Sequence, residues 1–411
     1  MTGFLKKRSA HSYTIVIYLG RDPATGKKRQ KWHTVDGNKK KAEEELTRLL
    51  HELNTGTYIE PSKLTMKDYL ERWLKDYAKG AVGKKTFERY SGIVRDHLVP
   101  ELGNLVLTKV QPLHIQSCYT KWREGGRRDG REGGLSAQTI LHHHRVLSEA
   151  LHQAVRWQLV ARNVAEAVEP PTPEYREIPV LQEDEFVHVL DAAKGTRLYI
   201  PILLAGTTGM RRGEILAIRW RDVDFVSRLV SVNRSLQETR EGLFFKEPKP
   251  GRFRTLDLLP FTAEALEAYR QAQGAARHAL ADGYECNDLI CCQDDGRLWA
   301  PSAFTSAYRD LLRRRKIPNV CFHNFRHSHA TQLLRDGENP KMVSERLGHS
   351  RVAFTLDRYG HVLPGMQKGA ASRADGKLRS ALERQQQVGA PSRTSAQISK
   401  RLANGCFGDQ K

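Results

Sequence analysis

The chain opens with an alternation of apolar and polar positions that predicts a β-hairpin. Residues 13–19 alternate with the period of two that a half-buried strand requires. Residues 22–26 are turn formers, and residues 28–35 are predicted to return as a second strand. Asn38 is suited to cap a helix over residues 39–53. The beginning of the chain is therefore predicted to be a small hairpin-and-helix module.

From residue 66 the apolar positions recur every three to four residues, as in amphipathic helices. Ser136 is a suitable N-cap for the last of these helices. The predicted helices cover residues 66–74, 84–97, 112–123 and 138–158. They predict an all-helical domain of four or five helices. Residues 170–173, with three prolines, form a stiff extended run that marks its end.

One of these helices contains three consecutive histidines, His142, His143 and His144. Consecutive residues point in different directions around a helix, which does not suit a shared metal ion. The three side chains are therefore predicted to form a mixed surface stripe, and no metal site is expected.

The second half of the chain mixes both periods, which predicts an α+β domain. Strands 243–245 and 254–259 are predicted to form a hairpin around a turn that contains Lys246 and Lys249. A further strand is predicted at 229–235. The helices are predicted at 182–194, 198–206, 263–282, 301–315, and 376–387 near the end. The predicted fold class is multidomain and mainly α with small β-sheets, followed by a partly disordered tail.

Charge narrows the choice of partner. The 411 residues carry a net charge of +20, with a pI of about 9.7. Such an excess suits a polyanion, nucleic acid first. No apolar run reaches the length of a membrane span, and no apolar stretch follows the basic start as in a signal peptide. The six cysteines show no paired framework, which favours reduced thiols in the cytoplasm.

The candidate chemistry lies between residues 322 and 364. His323 and Arg326 are three residues apart, so they share one face of a predicted helix that ends near residue 337. Gly348 is predicted to end the next helix, which leaves His349 on a turn, and Tyr359 follows ten residues later. Each feature alone is more often structural than functional. Together they can bring cationic groups and a hydroxyl to one phosphate.

This order resembles the C-terminal signature of the tyrosine recombinases, the phage-integrase family. The signature runs His-x-x-Arg, Leu-Gly-His and then Tyr; Asn324 and Phe325 stand where members often have Asp and Leu. The stretch 208–214 resembles the family's Thr-Gly-x-Arg-x-x-Glu block, which makes Arg211 the first catalytic arginine, with Glu214 near enough to orient it. Without the downstream signature, this pair would be interpreted as an ordinary ion pair.

The family also carries a catalytic lysine on a β-turn, usually within Pro-Lys-Thr. Lys249 matches this pattern best, although Pro250 replaces the threonine, and Lys246 is the weaker alternative. The resemblance implies that Lys249 protonates the leaving 5′ oxygen.

The resemblance implies a reaction without cofactor, metal or ATP. Arg211 and Arg326 would hold the non-bridging oxygens of a phosphodiester, and His323 and His349 would bond to the phosphate. His323 would also assist removal of the tyrosine proton. Tyr359 would attack and form a 3′-phosphotyrosine, releasing a 5′-hydroxyl.

The resemblance also implies a domain plan. It consists of an arm-type DNA-binding domain at 1–60, a helical SAM-like core-binding domain at 61–169, a catalytic domain at 174–375, and a tail at 376–411. Candidate DNA contacts are basic residues of the first two domains: Arg21, Lys27, Lys28, Arg29, Lys31, Lys84, Lys85, Arg89 and Arg95.

The predicted function is a site-specific DNA recombinase that integrates or excises a mobile element. It would act as a homotetramer on core-type and arm-type sites of double-stranded DNA, at the nucleoid of a bacterial cell, with a DNA-bending or directionality protein as a possible accessory. Two alternatives remain. A type IB topoisomerase uses a similar residue set, but the three-module plan favours the recombinase. A non-catalytic DNA-binding regulator would not need Tyr359.

Overall fold

The computed structural model describes residues 2–9, 11–21, 25–55, 62–174, 179–247, 253–359 and 366–387. In these ranges the protein is mainly helical with small β-sheets, as predicted. The chain forms two compact units, residues 1–177 with 239–242, and residues 178–238 with 243–411. No helix in the described ranges has the length and apolar character needed to cross a bilayer.

A three-stranded antiparallel sheet begins the first unit. Its strands are β1 (Gly3–Ser9), β2 (Ser12–Arg21) and β3 (Lys28–Asp36), in the order β1-β2-β3, and α1 (Lys39–Asn54) covers one face. Ile15 and Ile17 pack there against the leucines of α1. The two later strands and the helix were predicted, but β1 was missed. Its sequence, GFLKKRS, is mostly polar and shows no regular alternation.

The strand register separates the two faces of this sheet. Phe4, Val16 and Trp32 lie side by side across the three strands, with Trp32 58% exposed. Lys31 pairs instead with Ile17, which is fully buried on the helix-covered side. Because side chains alternate between faces, Lys28 shares the open face with Trp32, and Lys31 does not.

The described residues 62–174 of this unit are mainly helical, as predicted. The helices are α2 (Met66–Trp73), α3 (Lys84–Ile93), α4 (Pro112–Gly125) and α5 (Ala137–Arg156). Two of them continue through π-helical turns, α2 through Leu74–Ala78 to Lys79–Ala81, and α3 through Val94–Leu98 to Val99–Leu102. Short 3₁₀ turns lie at Leu107–Lys109 and Val164–Ala167. The Ser136 hydroxyl accepts a hydrogen bond from the Thr139 amide and so caps α5.

The histidine stripe of α5 is not entirely on the surface, which corrects the sequence prediction. His143 is 3% exposed, and its ring lies 4.3 Å from that of His97 and 5.0 Å from that of Trp122, between centroids. The reason is helical spacing, since His143 shares the buried face of Ile140 and Leu147. Burial, followed by the nearby His97, lowers the pKa of His143 to about 3.

The second unit combines helices with two small sheets. Its helices are α6 (Glu183–Ala192), α7 (Tyr199–Thr208), α8 (Arg212–Ile215), α9 (Pro260–Leu280), α10 (Pro301–Arg314), α11 (His323–Arg335), α12 (Pro340–Leu347), α13 (Val352–Tyr359) and α14 (Met366–Gln387). Its strands are β4 (Val223–Asp224), β5 (Leu229–Val232), β6 (Ser235–Thr239), β7 (Gly242–Lys246) and β8 (Arg254–Asp257). Short 3₁₀ turns lie at Trp220–Asp222 and Ala281–Gly283.

The pairing of these strands corrects one prediction. In the described residues β7 pairs with β6, and β8 pairs with β5, so β7 and β8 do not form a hairpin with each other. The local connection explains this, because only Arg240 and Glu241 separate β6 from β7, and short connections favour adjacent antiparallel strands. The predicted turn with Lys249 lies outside the described residues.

The buried ring of His143 generates a prediction about acid stability. An unfolded histidine binds a proton near pH 6.5, whereas folded His143 stays neutral down to a pH of about 3. The helical domain should therefore lose stability as pH falls below 6.5, by about 1.4 kcal/mol per pH unit for this group. His143→Phe should remove that part of the pH dependence.

Hydrogen exchange in α5 between pH 7 and 5, corrected for intrinsic rates, measures the effect. His142→Gln is the matched control at the half-buried neighbouring position. An unchanged pH dependence in His143→Phe would contradict the assignment.

Candidate active site

Arg211 is placed by a sharp end to helix α7. This helix is almost wholly apolar and buried, and it ends at Gly209 in the left-handed conformation, with φ of +67°. A Cβ at Gly209 would also lie 2.8 Å from side-chain atoms of both His329 and Leu347. Only glycine meets both conditions without strain. The reversal makes Arg211 the N-cap of the short helix α8.

Glu214 holds Arg211 and a second arginine, Arg254. Glu214 Oε1 accepts from Arg211 Nη1 at 2.8 Å, and its backbone-facing Oε2 accepts from the Arg211 amide at 2.8 Å. Arg254 donates to both carboxylate oxygens, at 3.1 and 2.6 Å. Burial alone would raise the pKa of Glu214, but the hydrogen bonds and charges of Arg254 and Arg211 outweigh it and hold that pKa at about 2. The carboxylate is therefore ionised at neutral pH.

Arg326 is held by backbone carbonyls. It is 3% exposed, and its guanidinium donates to the Gly209 carbonyl at 2.7 Å and to the Leu347 carbonyl at 2.5 Å. Arg211 Nη2 donates to the next carbonyl, that of Gly348, at 3.0 Å. Burial, followed by the charge of Arg211, lowers the pKa of Arg326 to about 9, so it remains charged at pH 7. Both arginines therefore converge on the end of α12.

His349 follows directly on that helix end. Asn339 caps α12, Pro340 occupies its first turn, and Gly348 ends it with φ of +65°, all as the sequence predicted. His349 Nδ1 lies 2.8 Å from the hydroxyl of Thr355, which is fully buried. When Thr355 donates to Nδ1, the ring hydrogen sits on Nε2, which is then a donor for a phosphate oxygen. Burial and then Arg326 and Arg211 lower the pKa of His349 to about 4.

His323 begins helix α11, three residues before Arg326, and it remains exposed to solvent at the helix start. Partial desolvation by the surrounding protein, followed by the charges of Arg326 and Arg211, lowers the pKa of His323. The same two arginines act on His349, so His323 and His349 belong to one cationic environment. At neutral pH both imidazoles are therefore hydrogen-bonding groups without a charge of their own.

Tyr359 is the last residue of α13, a helix that the sequence did not predict. It is 4% exposed and packs against a small cluster of Ala330, Leu334, Val343 and Leu347. Its hydroxyl lies 2.7 Å from Nδ1 of His327. Burial raises the pKa of Tyr359, and the positive charges of Arg326 and Arg358 oppose that rise.

The structure thus brings together five of the predicted site residues, with Glu214 beneath them. They are Arg211, His323, Arg326, His349 and Tyr359. Lys249 lies outside the described residues, and its alternative Lys246 is exposed at the end of β7. His323 was expected to assist removal of the Tyr359 proton, and the hydroxyl of Tyr359 forms a hydrogen bond with His327.

Sequence reasoning missed three residues of this site. His327 follows Arg326 and lies four residues after His323, so helical spacing was an available signal. For Thr355 the only available signal in the sequence was its position six residues after His349. Arg254 gave no local signal, because its contacts with Glu214 and with the Arg346 carbonyl span 40 and 92 residues of sequence.

The predicted DNA contacts differ in their surroundings. Arg21, Lys27, Lys28 and Arg29 are exposed on the first sheet and its turn, and Lys31 is half-buried. In the helical domain Lys84, Lys85, Arg89 and Arg95 are all exposed. Arg95 forms an ion pair with Asp96 at 2.7 Å, which reduces its suitability for a phosphate. A groove next to Lys85 and Arg89 is also lined by His142 and Arg145, and Arg145 was not among the predicted DNA contacts.

Two fixed guanidiniums, two neutral imidazoles and a tyrosine form an anion pocket of the kind that phosphoryl transfer uses. The family model described as "Phage integrase family" matches residues 179–365, and the "Phage integrase, N-terminal SAM-like domain" matches residues 65–123. The chain belongs to the phage integrase family, the tyrosine-type site-specific recombinases, which catalyse DNA strand breakage and rejoining.

Relatives and solved structures extend over most of the chain. A "Tyrosine recombinase XerC-like" protein of Caldanaerobacter subterraneus subsp. tengcongensis is 26% identical, over 89% of this chain and 96% of its own length. The ICEBs1 integrase of Bacillus subtilis is 24% identical, over 91% of this chain and 100% of its own.

The fold resembles that of two integrases solved on DNA. The Tn1549 transposon integrase in complex with a circular intermediate DNA has a TM-score of 0.62 at 18% identity, over 75% of this chain and 99% of its own. A lambda integrase tetramer bound to a Holliday junction has a TM-score of 0.53 at 18% identity, over 84% and 95%.

The shared carboxylate of Glu214 generates a stability prediction. Glu214→Gln leaves Arg211 and Arg254 without their counter-charge, and breaking a buried pair in this way should cost about 3 kcal/mol. The folded pKa of Glu214 is about 2 and the unfolded value is 4.5. The stabilisation is therefore complete above pH 4.5 and is lost as pH falls toward 2, so the difference between wild type and variant should shrink in that range.

Urea unfolding followed by hydrogen exchange in α7 measures this difference. Glu345→Gln is the control, because Glu345 pairs with Lys341 at 4.0 Å on the surface and should matter little. Equal stability of the two variants would contradict the assigned role of Glu214.

Proposed function

We propose that this recombinase integrates or excises a mobile element by cutting DNA with Tyr359. The phenol of Tyr359 gives up its proton with the help of His323, and its oxygen attacks the phosphorus. The bond to the 5′ oxygen breaks and that oxygen takes up a proton, so a 3′-phosphotyrosine and a 5′-hydroxyl result. Reversal of the same step by a second 5′-hydroxyl rejoins the strands. The covalent link conserves the phosphodiester energy, so the proposed cycle uses no nucleotide cofactor.

One observation carries the proposal. The guanidiniums of Arg211 and Arg326 are fixed on the consecutive carbonyls of Gly348 and Leu347, immediately before His349. In the proposed reaction the donors left over on both guanidiniums bind the non-bridging oxygens of the phosphate, where charge develops during attack. His349 and His323 donate hydrogen bonds to the same phosphate.

The leaving 5′ oxygen needs a proton, and Lys249 is the proposed donor. This assignment rests on the Pro-Lys pattern of the sequence, since Lys249 lies outside the described residues. Lys246 remains the alternative.

The proposed partners are two duplex DNA sites and three further copies of this chain. The tetrameric state of lambda integrase on a Holliday junction supports a homotetramer. The ICEBs1 and Tn1549 integrases support a mobile-element substrate. Binding to arm-type sites and the use of an accessory DNA-bending or directionality protein are part of the same proposal. A topoisomerase would relax supercoils without exchanging strands between duplexes, so a two-site strand-exchange assay separates the alternatives.

We assign two surfaces to DNA within this proposal. The open face of the first sheet carries Lys28 and Trp32, which suits insertion of a β-sheet into the major groove. In the helical domain the groove lined by Lys85, Arg89 and Arg145 suits the phosphate backbone. The domain boundaries at 60, 169 and 375 belong to the same proposal.

Tyr359→Phe tests the nucleophile. The variant retains the ring that packs in the cluster, so it should bind core-site DNA as tightly as wild type. It should form no covalent adduct with a nicked suicide substrate, because the attacking oxygen is gone. Denaturing electrophoresis measures the adduct, and the substrate's affinity is measured separately. An adduct that survives SDS in this variant would disprove the assignment, and normal DNA binding by a wild type without any adduct would favour the regulator alternative.

Lys28→Ala tests the DNA-binding face of the sheet. Each phosphate contact releases counterions, so losing one should lower the slope of log affinity against log salt by about 1. Lys31→Ala is the matched control from the helix-covered side of the same strand and should change the slope less. Titration of a mixed-sequence duplex at several salt concentrations provides the measurement. Equal changes in both variants would contradict the choice of face.

A further inference from the structure

The hydroxyl of Tyr359 is held by a residue that the proposed reaction leaves without a role. His327 Nδ1 lies 2.7 Å from it, and the planes of the two rings are inclined at 51°. The Tyr359 ring packs in the apolar cluster described above. A polar hydroxyl in such surroundings needs a hydrogen-bond partner. Among the residues that the structure describes, His327 is the partner recorded for this oxygen.

The direction of this hydrogen bond follows from the surroundings. Burial, and after it the charges of His323, Arg358 and Arg326, lower the pKa of His327 to about 3, so the ring is neutral. The phenol is also neutral, because burial raises the pKa of Tyr359. The phenol carries a hydrogen that needs an acceptor, and the unprotonated Nδ1 is the acceptor in reach. The ring hydrogen of His327 then lies on Nε2.

Helix α11 fixes His327 relative to the phosphate-binding residues. His323, Arg326 and His327 lie within one turn of the helix, and the rings of His323 and His327 meet edge to face with centroids 4.7 Å apart. The Arg326 guanidinium donates to the carbonyls of Gly209 and Leu347 and so anchors that turn. The Tyr359 oxygen is therefore tied to the same rigid turn that supplies two groups of the anion pocket.

We propose that His327 is a positioning residue that orients the attacking oxygen of Tyr359. His327 Nδ1 accepts the hydroxyl hydrogen of Tyr359. The lone pairs of the phenol oxygen then point away from the His327 ring and are available to attack the phosphorus. The cationic pocket makes His327 a poor proton acceptor, so its role is to orient the nucleophile and not to deprotonate it. This inference rests on the proposed function of Tyr359.

The test uses two variants of the full-length protein. His327→Asn keeps an acceptor, since the amide oxygen reaches the place of Nδ1, but it removes the basic nitrogen. His327→Leu removes the acceptor and fills the space. At saturating suicide substrate, His327→Leu should form the covalent adduct about 10²-fold more slowly, the scale expected for a misplaced reacting atom. His327→Asn should recover to within about 10-fold of wild type and keep its pH profile.

The DNA affinity of both variants should equal that of wild type, because the substitution is expected to change only the rate of adduct formation at saturating substrate. Gln332→Ala is the control, an exposed position on the same helix whose side chain bonds to Asp336. A wild-type rate in His327→Leu would overturn the proposal, and so would a His327→Asn variant as slow as His327→Leu, since that result requires proton acceptance. An adduct in Tyr359→Phe would instead defeat the proposed function, so the two failures are distinguishable.

Discussion

The catalytic domain depends on one buried carboxylate and the arginines around it. Glu214 lies on α8, Arg254 on β8, and Arg254 also donates to the Arg346 carbonyl on α12 at 2.9 Å. The Arg254 guanidinium thereby joins three segments that are distant in sequence, and Glu214 holds that guanidinium in place. Ion pairs of this kind contribute modest net stability but penalise every arrangement in which one partner is missing. Glu214 therefore specifies the position of Arg211 more than it stabilises the fold.

The same network explains the electrostatics of the pocket. Glu214 balances Arg211 and Arg254, whereas the hydrogen bonds of Arg326 to Gly209 and Leu347 go to carbonyl oxygens. The pocket therefore retains positive charge that is already oriented before an anion arrives, and preorganised charge needs no rearrangement during reaction. The histidines beside it stay neutral, because desolvation, followed by the charges of Arg326 and Arg211, lowers their pKa values.

Two glycines make this geometry possible. Gly209 and Gly348 both adopt the left-handed conformation, and each lies in contact distance of a residue from the other part of the site. Gly209 faces Leu347, and Gly348 faces Arg254. A Cβ at Gly209 would meet the side chains of His329 and Leu347, and a Cβ at Gly348 would meet the Arg254 guanidinium. Either change would disturb the groups around Arg211 and Arg326. The close approach of these two glycines to neighbouring side chains is thus part of the candidate site.

The sequence by itself determined the local elements and the chemistry carried by short spacings. The helices of the middle domain follow from their apolar period, and the cap and end of α12 follow from Asn339 and Gly348. The proposed anion-binding set follows from the order of His323, Arg326, His349 and Tyr359. These features depend on neighbours within about one or two helical turns, which a single sequence displays.

Only the tertiary structure decided which distant groups meet. The pairing of β8 with β5, the bridge from Glu214 to Arg254 and the contact of Tyr359 with His327 all join segments whose separation carries no periodic signal. The strand register likewise places Lys28 and Lys31 on opposite faces of the first sheet, although the sequence made both of them candidate DNA contacts. The physical reason is that packing and charge compensation are satisfied in three dimensions, so the partner of a buried polar group is fixed by the fold and not by its sequence neighbours.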